Sequence, residues 1–141
     1  MRPSRPAAGP ARLRHAALLA ACYALLAACG GQGAFRQEAQ RTASELAAAA
    51  TTLEYVHTGR LPASFGRSSF VAYRDSLRNA GESLSGAQGA PTGERMDRLM
   101  RLYARAWAAV QEPCLDAGCG WSEQVRAMKD ASAALDEAAG P

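Results

Sequence analysis

The sequence predicts an all-α fold: a small antiparallel four-helix bundle, or a three-helix core with a more loosely packed first helix. Three observations predict it. Apolar residues recur at steps of three and four along four separate segments, the periodicity of one helix face rather than of a strand. Clusters of glycine and proline fall between those segments, where turns belong. Val and Ile are few, which disfavours strands. A chain of 141 residues has room for one such domain, expected over residues 35–139.

The first segment runs from Arg36 to about His57, with Ala39, Ala43, Leu46, Ala50, Leu53 and Val56 on one face. Gly59 stands where a C-cap belongs, and Pro62 blocks continuation. The second begins near Ser68 or Ser69, either a good N-cap, and carries Phe70, Tyr73, Leu77, Ala80 and Leu84. Gly86 to Gly93 is a loop by composition. Thr92 can cap the third segment, whose stripe is Met96, Leu99, Tyr103, Ala106 and Val110, with Met100 and Trp107 alongside, until Pro113 ends it. The fourth runs from about Trp121 to Glu137, with Trp121, Val125, Met128, Ser132 and Leu135 on one side.

Short connections between such helices imply antiparallel neighbours. None is stable alone, so burial of the stripes must hold the fold. The first offers mainly alanine, which buries little area per residue. The aromatic and methionine side chains of the other three are therefore expected to supply most of the core.

The formal charge of +3 is unevenly placed. Arg2, Arg5, Arg12 and Arg14 stand at the extreme N-terminus, whereas from Cys29 onward 12 basic residues face 13 acidic ones. The basicity is not a patch on the folded domain, which argues against nucleic acid as a partner. Behind the arginines, Ala16 to Ala28 is an uncharged apolar run. Its 13 residues would span about 20 Å as a helix, short of the about 30 Å of a bilayer core. A positive segment followed by a short apolar run reads as a signal peptide.

The run closes on Leu26-Ala27-Ala28-Cys29. This stretch resembles the lipobox of bacterial lipoproteins, a Leu-small-small-Cys pattern ending a signal peptide. The resemblance covers residues 1 to about 30 only, and no family is recognised for the mature domain. It implies cleavage before Cys29, a diacylglycerol on its thiol and, often, acylation of its new amino group. Residues 1–28 would then be the signal peptide, and 29–34 a lipidated cysteine with a flexible glycine-rich tether. Gly30–Ala34 would reach at most about 17 Å when extended. By the same similarity, Gly30 in place of an aspartate favours the outer membrane, facing the periplasm. Leu19-Ala20-Ala21-Cys22 repeats the pattern behind a shorter apolar stretch, and an uncleaved apolar helix with two incidental cysteines is the plain alternative.

Cys114 and Cys119, in "EPCLDAGCGW", bracket four residues between the third and fourth segments. In an exported protein a disulfide persists, and Gly118 and Gly120 permit the tight path, so a structural staple is expected. The spacing is not Cys-x-x-Cys, against a redox pair, and no second ligand pair exists to complete a zinc site. His57, the one histidine after Cys29, lies near a helix C-terminus, where the dipole favours a cation; a cap or surface role is expected over a metal ligand or general base. Met96, Met100 and Met128 belong to apolar stripes and are expected in the core rather than on copper or haem. No Cys-x-x-Cys-His, Gly-x-Ser-x-Gly, His-Glu-x-x-His or phosphate loop is present. No catalytic residue, metal or cofactor is therefore expected.

Arg98, Arg101 and Arg105 share the face of the third segment opposite its apolar stripe, with Arg95 nearby and Glu94 and Glu112 on the same side. A solvated face is the plain reading; contact with an anionic partner is the sharper one. Together these features lead to the expectation of a membrane-anchored envelope lipoprotein, not an enzyme, with a structural or protein-interaction role. A second expectation is a module holding a small apolar ligand or cofactor near Tyr73, Tyr103 and Trp107.

Overall fold

The structure is a computed structural model that describes residues 10–141, with side chains from Gly33 onward. All its regular elements are helices: α1 (Pro10–His57), α2 (Ala63–Leu77), α3 (Ala80–Gly86), α4 (Glu94–Gln111) and α5 (Trp121–Ala139). The expected tether at 29–34 falls within the bounds of α1. Residues 1–9 and the side chains of residues 10–32 lie outside the described part, and with them fall the expected signal peptide and the expected lipidation of Cys29, as well as the Cys22 side chain. Among the described residues, no helix is long and apolar enough to cross a membrane.

The packed body begins at Phe35, which is buried, whereas Gly33 and Ala34 are exposed. Its backbone N–H donates to the Gln88 carbonyl at 3.3 Å, tying the start of the bundle to the loop before α4.

Three features of the helix ends differ from expectation. α2 starts at Ala63, upstream of Ser68 and Ser69, with Pro62 in an extended conformation ahead of it. The Phe65 and Gly66 N–H groups donate to the Pro62 carbonyl at 3.0 and 3.2 Å, and Ser68 Oγ donates inside the helix to the Phe65 carbonyl at 2.9 Å. The extra turn is possible because Gly66 lets α2 come close to its neighbours: a Cβ there would sit 2.9 Å from both Val56 Cγ2 and Leu115 Cδ2.

The second feature is a break at Arg78–Asn79, which divides the expected second helix into α2 and α3. The Tyr103 hydroxyl donates to the Leu77 carbonyl there at 2.8 Å, satisfying an acceptor that the interrupted helix leaves open. The third feature is at α4, where Thr92 does not cap. Gly93 takes that place at φ 62° with no side-chain cap bond, a backbone region that favours glycine. Glu94 and Asp97 lie in the first turn, where the helix dipole favours acids.

The helices alternate in direction. Along α1 and α5, Arg36 Nη2 donates to the Gly140 carbonyl, Ser132 Oγ to the Ala43 carbonyl, and Lys129 pairs with Glu54, so rising numbers meet falling ones. Thr52 with Tyr73 relates α1 to α2 in the same sense, and Arg74 with the Gln111 carbonyl relates α2 to α4. α1 packs on α2 and α5, and α4 packs on the same two, so the four long elements follow one another around an antiparallel bundle with α3 continuing α2.

The first helix is not the loose member. Phe35, Ala39, Ala43, Leu46, Ala49, Ala50 and Leu53 of α1 are all core residues, and its most extensive packing is against α5. The alanines are the reason. Small residues let two helix axes approach, and α5 presents Ala131 and Ser132 in return. Larger groups fill the rest of the interior: Phe70, Leu77 and Leu84 from α2 and α3, Leu99, Tyr103 and Val110 from α4, and Met128 and Leu135 from α5.

Candidate functional site

The two ends of the bundle carry different chemistry. At one end the chain enters through Phe35, beside Gln88 and Gly140. The first turns of α4 and the last of α5 lie at this same end. They border a cleft of about 530 Å³ lined by Gly89, Pro91, Arg95, Arg98, Leu99, Leu102, Ala134, Glu137 and Ala138. A second, shallow cleft of about 440 Å³ on the outer face of α4 is lined by Glu94, Arg95, Asp97, Arg98 and Arg101.

Arg95, Arg98, Arg101 and Arg105 are all exposed. The ion pairs among the described residues are Arg41–Glu38, Arg78–Asp75 and Lys129–Glu54, so none of these four arginines is in one. Glu137 lines the first cleft and Glu94 and Asp97 the second, so the surface is mixed in sign but has cations available. Arg105 lines neither cleft. The structure therefore brings Arg98 and Arg101 together with Arg95 and leaves Arg105 further along the helix. Glu112 stands at the far end of α4, where its carbonyl accepts from Gln124 Nε2 at 2.9 Å.

At the opposite end, Cys114 and Cys119 form the expected disulfide, with Cα atoms 5.9 Å apart. Gly118, at φ 94°, supplies the turn between them. Gln124 of α5 holds the strand of chain leading in, accepting from the Cys114 N–H through Oε1 at 2.7 Å. His57, at the last turn of α1, reaches the same loop. Its Nε2 lies 2.6 Å from the Cys114 carbonyl oxygen, and its ring stacks on Trp121 with centroids 4.8 Å apart and planes 5° apart. A His57 ring nitrogen and both cysteine sulfurs lie within 4.8 Å of one another.

The expected aromatic ligand site is not assembled in the described clefts. Tyr103 is buried with its hydroxyl engaged at Leu77, and burial pushes its pKa up to about 12. The Tyr73 hydroxyl meets Thr52 Oγ1 at 3.0 Å and its ring packs edge-on against Phe70, while Trp107 packs against the core. Met128 is fully buried, and Met96 and Met100 pack against the core. The convergence of His57 on the cysteines was not readable from spacing, because 57 residues separate His57 from Cys114; only the Gly59–Pro62 reversal hinted that α1 ends close to another loop.

Comparison of the chain with protein families, with curated proteins and with solved structures gives no match.

Proposed function

We propose that the protein is a bacterial envelope lipoprotein, lipid-anchored through Cys29 and non-enzymatic, whose bundle works at the membrane surface as a structural or interaction module. The sequence motif Leu26-Ala27-Ala28-Cys29 supports the anchor. The observation that carries the surface role is the position of the arginines. The chain enters the bundle at Phe35, bonded to Gln88, and Arg95 and Arg98 line the cleft that begins at Gly89. Only Gly30 to Ala34 separate Cys29 from that end, so an anchored bundle would hold those guanidinium groups beside the lipid headgroups. Guanidinium pairs well with phosphate, often through two parallel hydrogen bonds. Each cation near an anionic surface contributes about 1 kcal/mol, so Arg95, Arg98 and the neighbouring Arg101 would strengthen an anchorage that the acyl chains begin. An outer-membrane position facing the periplasm fits Gly30 after the cysteine.

The test measures binding of the domain from Phe35 onward to vesicles rich in anionic phospholipid, with Arg95, Arg98 and Arg101 changed to glutamine in the variant. The proposal expects salt-sensitive binding that the variant loses in large part. Equal binding of the two proteins, or none by either, would remove the headgroup contact.

A second reading is a module that binds a small apolar ligand. The 530 Å³ cleft, with Leu99, Leu102, Ala134 and Ala138 in its wall, has the size of a ligand site. That reading expects a small molecule to co-purify with the protein and to leave when Leu102 or Ala134 is enlarged.

A further inference from the structure

The end of the bundle away from the chain entry holds three soft or borderline metal donors in one place: Cys114 Sγ, Cys119 Sγ and a ring nitrogen of His57. We propose that opening the Cys114–Cys119 disulfide converts this end into a three-ligand site for a soft monovalent cation, Cu(I), held by two thiolates and the His57 imidazole.

The surroundings keep the donors together once the bond is open. The Cys114 N–H stays tied to Gln124 Oε1 at 2.7 Å, and its carbonyl stays tied to His57 Nε2 at 2.6 Å. Cys119 Sγ is 2.9 Å from the Asp116 carbonyl oxygen within the same turn. The His57 ring cannot swing freely, because Trp121 stacks on it. A carbonyl oxygen only accepts, so Nε2 carries the proton of this bond. In the neutral ring the other nitrogen, Nδ1, then keeps its lone pair. Ligation through Nδ1 would leave the Nε2 bond to the Cys114 carbonyl in place, the pairing of one ligating and one carbonyl-bound nitrogen that metal-binding histidines commonly show.

The donor set selects the cation. Thiolates favour Cu(I) and zinc over harder ions. Zinc in a closed protein site takes four ligands, and three donors are gathered here, a number that suits Cu(I). Cys119 is exposed, which gives both a reductant and a cation a way in.

The chemistry balances with a dithiol reductant. One of its thiolates attacks a sulfur of the disulfide and forms a mixed disulfide, and its second thiol displaces that link. The reductant leaves as its own disulfide, and Cys114 and Cys119 are left as thiols with two protons gained. Binding of Cu(I) then releases both protons as the sulfurs become thiolates.

The test uses the full chain in detergent with Cys22→Ser and Cys29→Ser, so that Cys114 and Cys119 are its only thiols and the outcome is independent of lipidation. The reduced and oxidised forms each compete with a chromophoric Cu(I) chelator, and tryptophan fluorescence, from Trp121 and Trp107 together, is followed in parallel. The proposal expects one Cu(I) per reduced chain, none by the oxidised chain, and partial quenching on Cu(I) binding by the reduced chain alone. His57→Ala and His57→Gln should each weaken binding by at least about tenfold. The glutamine can still donate to the Cys114 carbonyl, so its loss of affinity reports ligation rather than misfolding. Failure of the reduced chain to compete would overturn the site. Undiminished affinity in His57→Gln would overturn the role of the imidazole, and Zn(II) binding that outcompetes Cu(I) would overturn the choice of cation.

Discussion

Inside the seam between α1 and α5, the Ser132 hydroxyl donates to the Ala43 carbonyl at 2.8 Å, with both residues buried. The contact exists because neither side chain extends far enough to keep the helices apart. Ser132→Ala keeps that spacing and removes a bond to a carbonyl that also serves its own helix, so it should cost about 1 kcal/mol or less. Ala43→Leu should cost about 3 kcal/mol through overpacking. Urea unfolding of the two variants checks the difference. Similar small losses for both would mean that the seam is not close-packed.

A second prediction concerns Tyr103. Tyr103→Phe leaves the buried Leu77 carbonyl without the phenol and should destabilise by about 1–2 kcal/mol. The native hydroxyl also makes a pH prediction. Its pKa rises from 10.0 to about 12, chiefly through burial. The folded state therefore holds a proton that the unfolded state has already lost above pH 10. The stabilisation is complete below pH 10 and disappears as pH rises through about 12. Thermal melts between those limits should fall more steeply for the native protein than for Tyr103→Phe. Parallel curves would contradict this account.

A third prediction follows from Gly66. An alanine Cβ at this site would stand 2.9 Å from Val56 Cγ2 and Leu115 Cδ2, so Gly66→Ala must push two side chains aside. The expected cost is about 1–3 kcal/mol, despite alanine's better helix propensity. Pairing it with Leu115→Ala should recover part of the loss, and calorimetry of the single and double variants measures the coupling.

The bundle architecture was legible in the sequence because the apolar stripes keep their period from Ala39 to Leu135. The helix ends were less so, and each case has a physical reason. Ser68 and Ser69 have the chemistry of caps, but Gly66 allows a close approach that extends α2 upstream. The α2–α3 break depends on a hydroxyl from Tyr103, 26 residues away. Alanine looked too small to make α1 central, since area per residue says nothing about how near two axes can come. The arginine face of α4 was readable from periodicity alone, whereas its place beside the chain entry needed the pairing of Phe35 with Gln88.

The disulfide supplies a fourth prediction. Cys114 and Cys119 close a loop five residues apart in sequence, so reducing it should destabilise the fold by about 2 kcal/mol through chain entropy. Cys114→Ser with Cys119→Ser should match the reduced native protein in urea unfolding. A larger loss in the double variant than on reduction would assign the thiols a packing role of their own.

The anchor at Cys29 is checked by the intact mass of the protein purified from its membrane. The expected species begins at residue 29, carries the mass of acyl groups and is absent from Cys29→Ser. An unmodified chain that retains Met1, or one cut elsewhere and free of lipid, would contradict it.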